Sequence, residues 1–228
     1  MTNEIIKADF HLHTEYSMAS LSSLSQLLKK ARQDGLGKLI ITDHNRIDGA
    51  KKLHEQYPDF VVIGEEILTT KGEILAFFLT EKVPSHLSPQ EAIHRLKDQG
   101  AFISLSHPYA SLRHGWAEEE MESMLPDLDA IEIFNGRNMN WMNQKAIQFA
   151  AEHSLPGTAG SDGHWVKELG RCGLELPFFD SAETLRTAIK KAAIFGKESS
   201  QFVRFFSRKA VAVKGIRKLF DHSPSVPD

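Results

Sequence analysis

The 228-residue sequence predicts an α/β fold: a parallel sheet, either open or closed into a barrel. Three observations predict it. Short β-type runs alternate with segments of helical period, the connections are short, and seven strand candidates favour closure. Repeats, low-complexity tracts and interdomain linkers are absent, so a single main domain is expected. Surface scaling gives roughly 10,000 Å² folded against about 37,000 Å² unfolded, enough burial for a core without a disulfide or structural metal.

The elements follow in order. Ile5 to His13 is the first strand, and Ser23 to Gln33 the first helix, with Gly35 where a C-terminal cap belongs. The apolar Leu39 to Ile41 centre a strand over Lys38 to Asp43, followed by a helix from Ile47 to Gln56. Strands at Phe60 to Ile67 and Ile74 to Phe78 precede a helix from Pro89 to Gln99. Ser88 is its N-cap, Pro89 fits the first turn, and Glu91 stands three residues on; Gly100 closes it. Strands at Phe102 to Ser106, Ala130 to Phe134 and Leu155 to Gly160 alternate with helices at Glu118 to Met124, Met142 to His153 and Ala182 to Ala193.

Composition narrows the function. A net charge of -3 gives no global case for nucleic-acid or membrane binding. The one cysteine, Cys172, excludes an intrachain disulfide and suits a reducing cytoplasm. The start, Met1 to Asp9, carries no signal pattern, and the apolar runs Phe60 to Ile63 and Ile74 to Leu79 are far too short to span a bilayer. A cytoplasmic protein without stable membrane insertion is the expectation. Eleven histidines are the unusual feature, and their placement carries the functional reading.

Most of the notable His, Asp and Glu residues fall at the C-terminal ends of strand candidates, where α/β sites assemble. Asp9, His11 and His13 alternate along the first strand and should share a face. Thr42-Asp43-His44, Gly64-Glu65-Glu66, Ser106-His107-Pro108 and Gly160-Ser161-Asp162-Gly163-His164 close four later strands. Buried carboxylates need a partner or a metal, and one of Glu65 and Glu66 should face inward. Each motif alone has a bland reading as capping or core residues. Five at one edge point to a polynuclear metal site.

In that order, His-x-His, Thr-Asp-His, Gly-x-Glu, His-Pro and Gly-Ser-Asp-x-His, with Ile131 to Arg137 before the last, the chain resembles the polymerase and histidinol phosphatase (PHP) family of metal-dependent phosphoesterases. The resemblance runs from about Ala8 to Ala193. It implies a distorted seven-stranded β/α barrel, related to the TIM barrel, with two or three divalent metals (zinc, manganese or iron) at its mouth. Residue by residue, it implies His11, His13, Glu66 and Asp162 on a first metal. Glu66 and His107 would hold a second, and His44 and His164 match ligands of a third. Three places depart from the pattern. Met18 and Ala19 stand where another third-site donor is found, Leu75 near a histidine position, and Asn135 where a second-metal histidine is frequent. His44 and His164 then have an alternative use in binding phosphate or moving protons.

The implied chemistry is attack on phosphorus by a metal-bridging hydroxide. Asp162 would orient it and take its proton, and His164 or His44 would protonate the leaving oxygen. Arg137 and Arg113, with Asn135, are candidates for gripping substrate, with surface salt bridges the competing role for the arginines. The expected substrate is a phosphomonoester or phosphodiester of a small molecule, nucleotide or oligonucleotide. Alternatives are a metal-dependent amide, carbamate or ester hydrolase, and a degenerate metal-binding interaction domain. Residues 1–196 form the expected catalytic domain. Residues 197–228 form a basic extension: seven Lys or Arg against one acid up to Phe220, packed on the barrel or bordering a phosphate surface. Asp221 to Asp228 reads as a frayed end. Ser161 is expected to cap backbone, and Cys172 to be core. Trp116, Trp141 and Trp165 are read mainly as packing residues, with stacking on a base the alternative.

Overall fold

The computed structural model describes residues 4–110, 113–199 and 203–220. Among them, one sheet takes in β1 (Ile5–Asp9), β2 (Leu36–Ile41), β3 (Val61–Leu68), β4 (Glu73–Phe77), β5 (Phe102–Leu105), β6 (Ala130–Asn135), β7 (Gly157–Gly160), β8 (Cys172–Pro177) and β9 (Ala193–Gly196), in the order β7-β6-β5-β4-β3-β2-β1-β8-β9. The helices are α1 (Leu24–Gln33), α2 (Asp48–His54), α3 (Pro89–Asp98), α4 (Glu118–Met124), α5 (Asn140–Glu152), α6 (Ala182–Ala188) and α7 (Val203–Phe220).

The seven expected strands are present, but the sheet is not uniformly parallel. β1–β2–β3 and β5–β6–β7 are parallel blocks, and β4 runs antiparallel to both neighbours. No helix separates β3 from β4: Thr69 and Gly72 close a tight connection, so the chain must return in the opposite sense. The chain beyond β1 then meets β7 and the residues after it. Phe10 N–H donates to the Ala159 carbonyl at 3.2 Å, His13 N–H donates to the Gly163 carbonyl at 2.9 Å, and Leu12 bridges Gly163 in parallel. Gly160 permits this approach, since a Cβ there would lie 2.4 Å from the His11 nitrogen. The result is a distorted, nearly closed α/β barrel.

Two strands were not expected. β8 pairs antiparallel with β1, and β9 pairs with β8. They extend the sheet beyond β1, joined to each other through α6, and β9 is too short and exposed to show alternation. α6 accordingly stops at Ala188, with a 3-10 turn over Ile189–Lys191 where a longer helix was expected.

Local signals behave as their chemistry requires. Ser88 Oγ accepts from Glu91 N–H, Pro89 occupies the first turn, and Gly35 and Gly100 have φ of 67° and 68° after their helices. Inside the barrel, Phe10 packs against Phe77 at 5.5 Å and Phe179 at 5.8 Å, and Phe77 against Phe102 at 5.8 Å. This apolar plug lies directly below the segment carrying His11 and gives the mouth a dry floor. α7 docks by polar anchors. Ser207 Oγ accepts from Arg137 at 2.8 Å, and Lys214 donates to the carbonyls of Glu15 and Ser17. Ala210 is buried while Arg208 and Lys209 face water. Residues 203–220 are thus helical, and Ser207 and Lys214 tie that helix to the barrel. The phenylalanine side chains of this helix and residues 221–228 lie outside the described residues.

Candidate metal centre

The donors come together because each strand ends at the same rim. β1 stops at Asp9, and the irregular backbone beyond it carries His11 and His13. β2 delivers His44, which forms an isolated parallel bridge with Glu66 of β3. His107 follows β5, Asn135 ends β6, and Asp162 and His164 follow β7. Two of these, His107 and Asp162, hold positive φ of 21° and 51°. Such backbone costs of order 1–3 kcal/mol in a non-glycine residue and is tolerated where side-chain direction matters.

Glu66 is the hub. Its Oε2 lies 3.2 Å from His11 Nε2, 3.3 Å from His13 Nε2 and 2.9 Å from His44 Nδ1. Its Oε1 accepts from Ser106 Oγ at 2.7 Å and lies 3.1 Å from His107 Nε2. Asp162 Oδ1 closes the first group at 3.5 Å from His13 Nε2 and 3.8 Å from His11 Nε2. Donors bound to one cation at about 2.0–2.2 Å sit roughly 3.0–3.6 Å apart, so these spacings fit.

The protons fit as well. His11 Nδ1 donates to Glu132 Oε1 at 2.9 Å, which leaves its Nε2 as a lone pair. Ser17 Oγ gives its hydrogen to Asp43 at 2.7 Å, so it can only accept from His13 Nδ1 at 3.3 Å. His164 Nδ1 donates to the Asp162 carbonyl at 2.9 Å. Among the described residues, His11 Nε2, His13 Nε2 and Glu66 Oε2 are buried without a hydrogen-bond partner. Three buried ligand atoms aimed at one point without a hydrogen-bond partner fit a metal cation that replaces the proton on His11. Overlapping triplets extend the pattern. His11, His13 and Glu66; His13, His44 and His164; and His44, Glu66 and Glu73 each place their donor atoms within 4.8 Å of one another. This is a multinuclear donor set.

Electrostatics follow from burial. Desolvation works against Glu66, yet His11 and His44 hold its carboxyl well below the usual range. Asp162 is likewise held well down, against desolvation, by Arg113 and His11. Burial lowers His13 to about 4, with the neighbouring His44 adding to it, and it drives His164 well down. His11 and His44 go the other way: Glu66 overcomes desolvation and raises both. His107 rises to about 9 because hydrogen bonds to Glu66 and Glu73 outweigh burial.

Several expectations are corrected. Asp9 does not share the His11 and His13 face, because the strand ends there. Its carboxylate instead accepts from Ser161 Oγ and N–H and from Gly170 N–H, tying the last motif to β1. Ser161 thus bonds chiefly to the Asp9 carboxylate rather than capping backbone as expected, its Oγ reaching the His11 carbonyl only at 3.4 Å. Arg137 is not turned to the mouth. Its guanidinium is buried in a bidentate pair with Glu168, whose Oε2 also accepts from the His164 and Trp165 N–H groups. Asn135 is held by other work: Oδ1 accepts from Arg137 N–H, and Nδ2 faces Glu132 and Asp162. Arg113 does reach the site, donating to Asp162 and, at 2.6 Å, to Asn138. Glu65 points away, accepting from Val83 N–H, so Glu66 is the inward acid. Cys172 is a buried core thiol bonded to the Gly160 carbonyl.

Two buried acids at the site were not singled out in the sequence. Glu132 accepts from His11, from His107 N–H and from Asn135, and so orients both sides of the centre. Its signal was the acid in Ile131-Glu132-Ile133, alternating within an apolar strand. Glu73 lies 3.3 Å from His107 Nε2 and 3.9 Å from His44 Nδ1. It begins a strand, and because β4 is antiparallel its beginning lies at the same rim as the other strands' ends.

A nearly closed α/β barrel with buried imidazoles and carboxylates gathered at its mouth is the frame of a metal-dependent hydrolase. Comparison with known proteins gives the family. The PHP domain model matches residues 9–78, and a PHP-associated C-terminal model matches residues 140–194. Uncharacterized protein MJ1587 of Methanocaldococcus jannaschii is 38% identical over 143 residues, covering 57% of this chain and 82% of the relative. A two-domain protein of Bacteroides vulgatus, described as containing a predicted PHP-like metal-dependent phosphoesterase, superposes with a TM-score of 0.70 at 21% identity, over 91% of this chain and 70% of that one. PsfC of Pseudomonas syringae does so at 0.69 and 15%, over 92% and 99%. These two likenesses bear on the fold. The chain belongs to the PHP family, and its centre is that of a metal-dependent phosphoesterase.

Proposed function

We propose that the chain hydrolyses a phosphomonoester or phosphodiester of a small molecule or nucleotide, with His11, His13, Glu66 and Asp162 holding one divalent cation, and Glu66 and His107 a second. The orphaned donors converging on Glu66 carry this reading. His44, stacked on His13 at 4.3 Å, and His164, tilted against it at 4.1 Å, are the third-site candidates. Zinc, manganese and iron all suit mixed imidazole and carboxylate donors. When bound, such cations supply Lewis acidity and charge neutralisation at phosphorus.

The chain's own groups divide the remaining work. Arg113 stands at the mouth, part-exposed beside Asp162, where its fork can grip a phosphate oxygen. Asp162 accepts the proton lost by the attacking water. His44, 32% exposed, donates to the leaving oxygen; His164, at 7%, is shielded and stays a ligand or a phosphate contact. Arg137 supports the His164 loop through Glu168, and Asn135 Oδ1 accepts from the Arg113 guanidinium at 3.5 Å. Residues 197–228 act as an accessory flank to the catalytic domain. Among the described residues, no helix is long and apolar enough to cross a membrane.

A panel of aryl phosphomonoesters, aryl phosphodiesters and carboxyl esters tests the reading in metal-supplemented protein. Phosphoester turnover, abolished in His13→Ala and Asp162→Ala with circular dichroism unchanged, is expected. Turnover restricted to carboxyl esters would replace it with the acyl-hydrolase alternative.

A further inference from the structure

The second-metal position is incomplete as the family resemblance describes it. Asn135 stands where a histidine is frequent, and its orientation is not that of a ligand. The Arg137 N–H must meet an acceptor, which fixes Asn135 Oδ1 toward that backbone at 2.9 Å. The amide nitrogen then faces Glu132 and Asp162, and a donor N–H₂ offers a cation nothing. Glu66 and His107 alone would hold the ion by two protein atoms.

Glu73 stands on the other side of the same imidazole. His107 Nε2 lies between Glu66 Oε1 at 3.1 Å and Glu73 Oε2 at 3.3 Å, while Glu73 Oε1 is 3.9 Å from His44 Nδ1. The residue is buried and its backbone is fixed. Its carbonyl accepts from Ser106 N–H and from the Trp116 indole at 3.0 Å, and Trp116 packs so closely on Gly72 that a Cβ there would lie 2.4 Å from the ring. Trp116 thus pins the start of β4 at the rim. Neither Glu73 oxygen is drawn off by a lysine or arginine in the ion pairs of the described residues.

We infer that Glu73 is a ligand of the second metal, taking the place left by Asn135, so that this position is built from two carboxylates and one imidazole. The inference rests on the metal-centre reading above. Exchanging an imidazole for a carboxylate hardens the site and adds negative charge, which favours Mn²⁺ over Zn²⁺ at this position relative to a histidine-rich one. The rival role is a purely orienting one, with Glu73 accepting a hydrogen bond from His107 and touching no cation.

Metal-free full-length protein titrated with Mn²⁺, followed by electron paramagnetic resonance and by metal content after desalting, separates these. Wild type should take at least two equivalents and show the spin-coupled signal of neighbouring Mn²⁺ ions. Glu73→Gln should lose the coupled signal and weaken the second equivalent by roughly tenfold or more, with the first unchanged. Glu73→His should restore the second equivalent with Zn²⁺ now preferred. Should Glu73→Gln fail to fold by circular dichroism, Glu73→Asp, one methylene shorter, carries the same expectation for the second equivalent. Two equivalents with affinities within about twofold of wild type in the folded variant would overturn the inference and leave the centre standing. Wild-type protein that takes up no cation would overturn the centre itself.

Discussion

Glu132→Gln is the most searching perturbation of the first metal position, because it alters no ligand and almost no volume. In the wild type, Oε1 accepts from His11 Nδ1 at 2.9 Å, and Oε2 accepts from His107 N–H at 2.7 Å and Asn135 Nδ2 at 3.1 Å. A glutamine has one acceptor and one donor end. With its amide nitrogen toward His11, Nδ1 must give up its hydrogen, and the neutral ring then carries it on Nε2, the atom needed for metal. With the amide turned over, two donors from His107 and Asn135 confront a third. Either way one charge-assisted bond of about 1.5–3 kcal/mol is lost, which translates to about 10- to 100-fold weaker binding at the first position. Competition with a chromophoric chelator measures that affinity, and the melting curve of the metal-free variant shows whether the fold survived. A folded Glu132→Gln variant that binds zinc or manganese within about twofold of wild type would refute the argument that this carboxylate sets the His11 tautomer.

Further outcomes follow from the same contacts. His107 titrates at about 9 in the metal-free protein and must lose its proton to bind a cation, so second-metal affinity should rise with pH. Between pH 7 and pH 9 the gain is ~50-fold, measurable by calorimetry in buffers that do not chelate, and a flat profile would refute competition between the cation and a raised His107 proton. Arg137→Met should leave Glu168 buried with its charge uncompensated. A loss of about 3 kcal/mol, or roughly 6–12 °C in Tm, is expected, since the pair is bidentate at 2.9 and 2.6 Å. Arg113→Met should raise KM for a phosphoester more than it lowers kcat, and should leave metal content unchanged.

Much of this arrangement was legible before any coordinates. His11, His13, His44, Glu66, His107, Asp162 and His164 each follow or close an apolar run, and the rule that parallel strands end at one rim was enough to gather them. That rule also explains the misses. Glu73 begins its strand, so it was invisible until β4 proved antiparallel, and that reversal depends on a four-residue connection that reads equally well as a loop. Glu132 alternates with Ile131 and Ile133 as a solvent-facing strand residue would, and its burial needs the neighbouring barrel wall. Arg137 and Glu168 lie 31 residues apart. A buried ion pair at that separation leaves no periodic trace, and an arginine beside a catalytic motif reads equally as a substrate contact or a surface salt bridge. Asp9 was misdirected by one assumption, that the strand continued to His13.

The charge balance of the mouth leads to a last prediction. Glu66, Asp162, Glu132 and Glu73 are buried around the four imidazoles of His11, His13, His107 and His164, and Arg113 answers Asp162 from the rim. Ionised carboxylates out of water cost several kcal/mol each unless compensated. In the metal-free protein that compensation falls to protonated His11, His44 and His107, all raised by these acids. Cations that replace those protons should bind the folded state far better than the unfolded one, where the donors are scattered over more than 150 residues of sequence. At a free concentration of 100 times Kd the linkage is worth about 2.7 kcal/mol, or roughly 5–10 °C in a domain of this size. Scanning calorimetry with and without Mn²⁺ or Zn²⁺ measures it. A Tm unmoved by saturating metal in wild type, at a pH where His107 is neutral, would mean that the acids are balanced by protons and arginine alone and that the mouth is not built for cations.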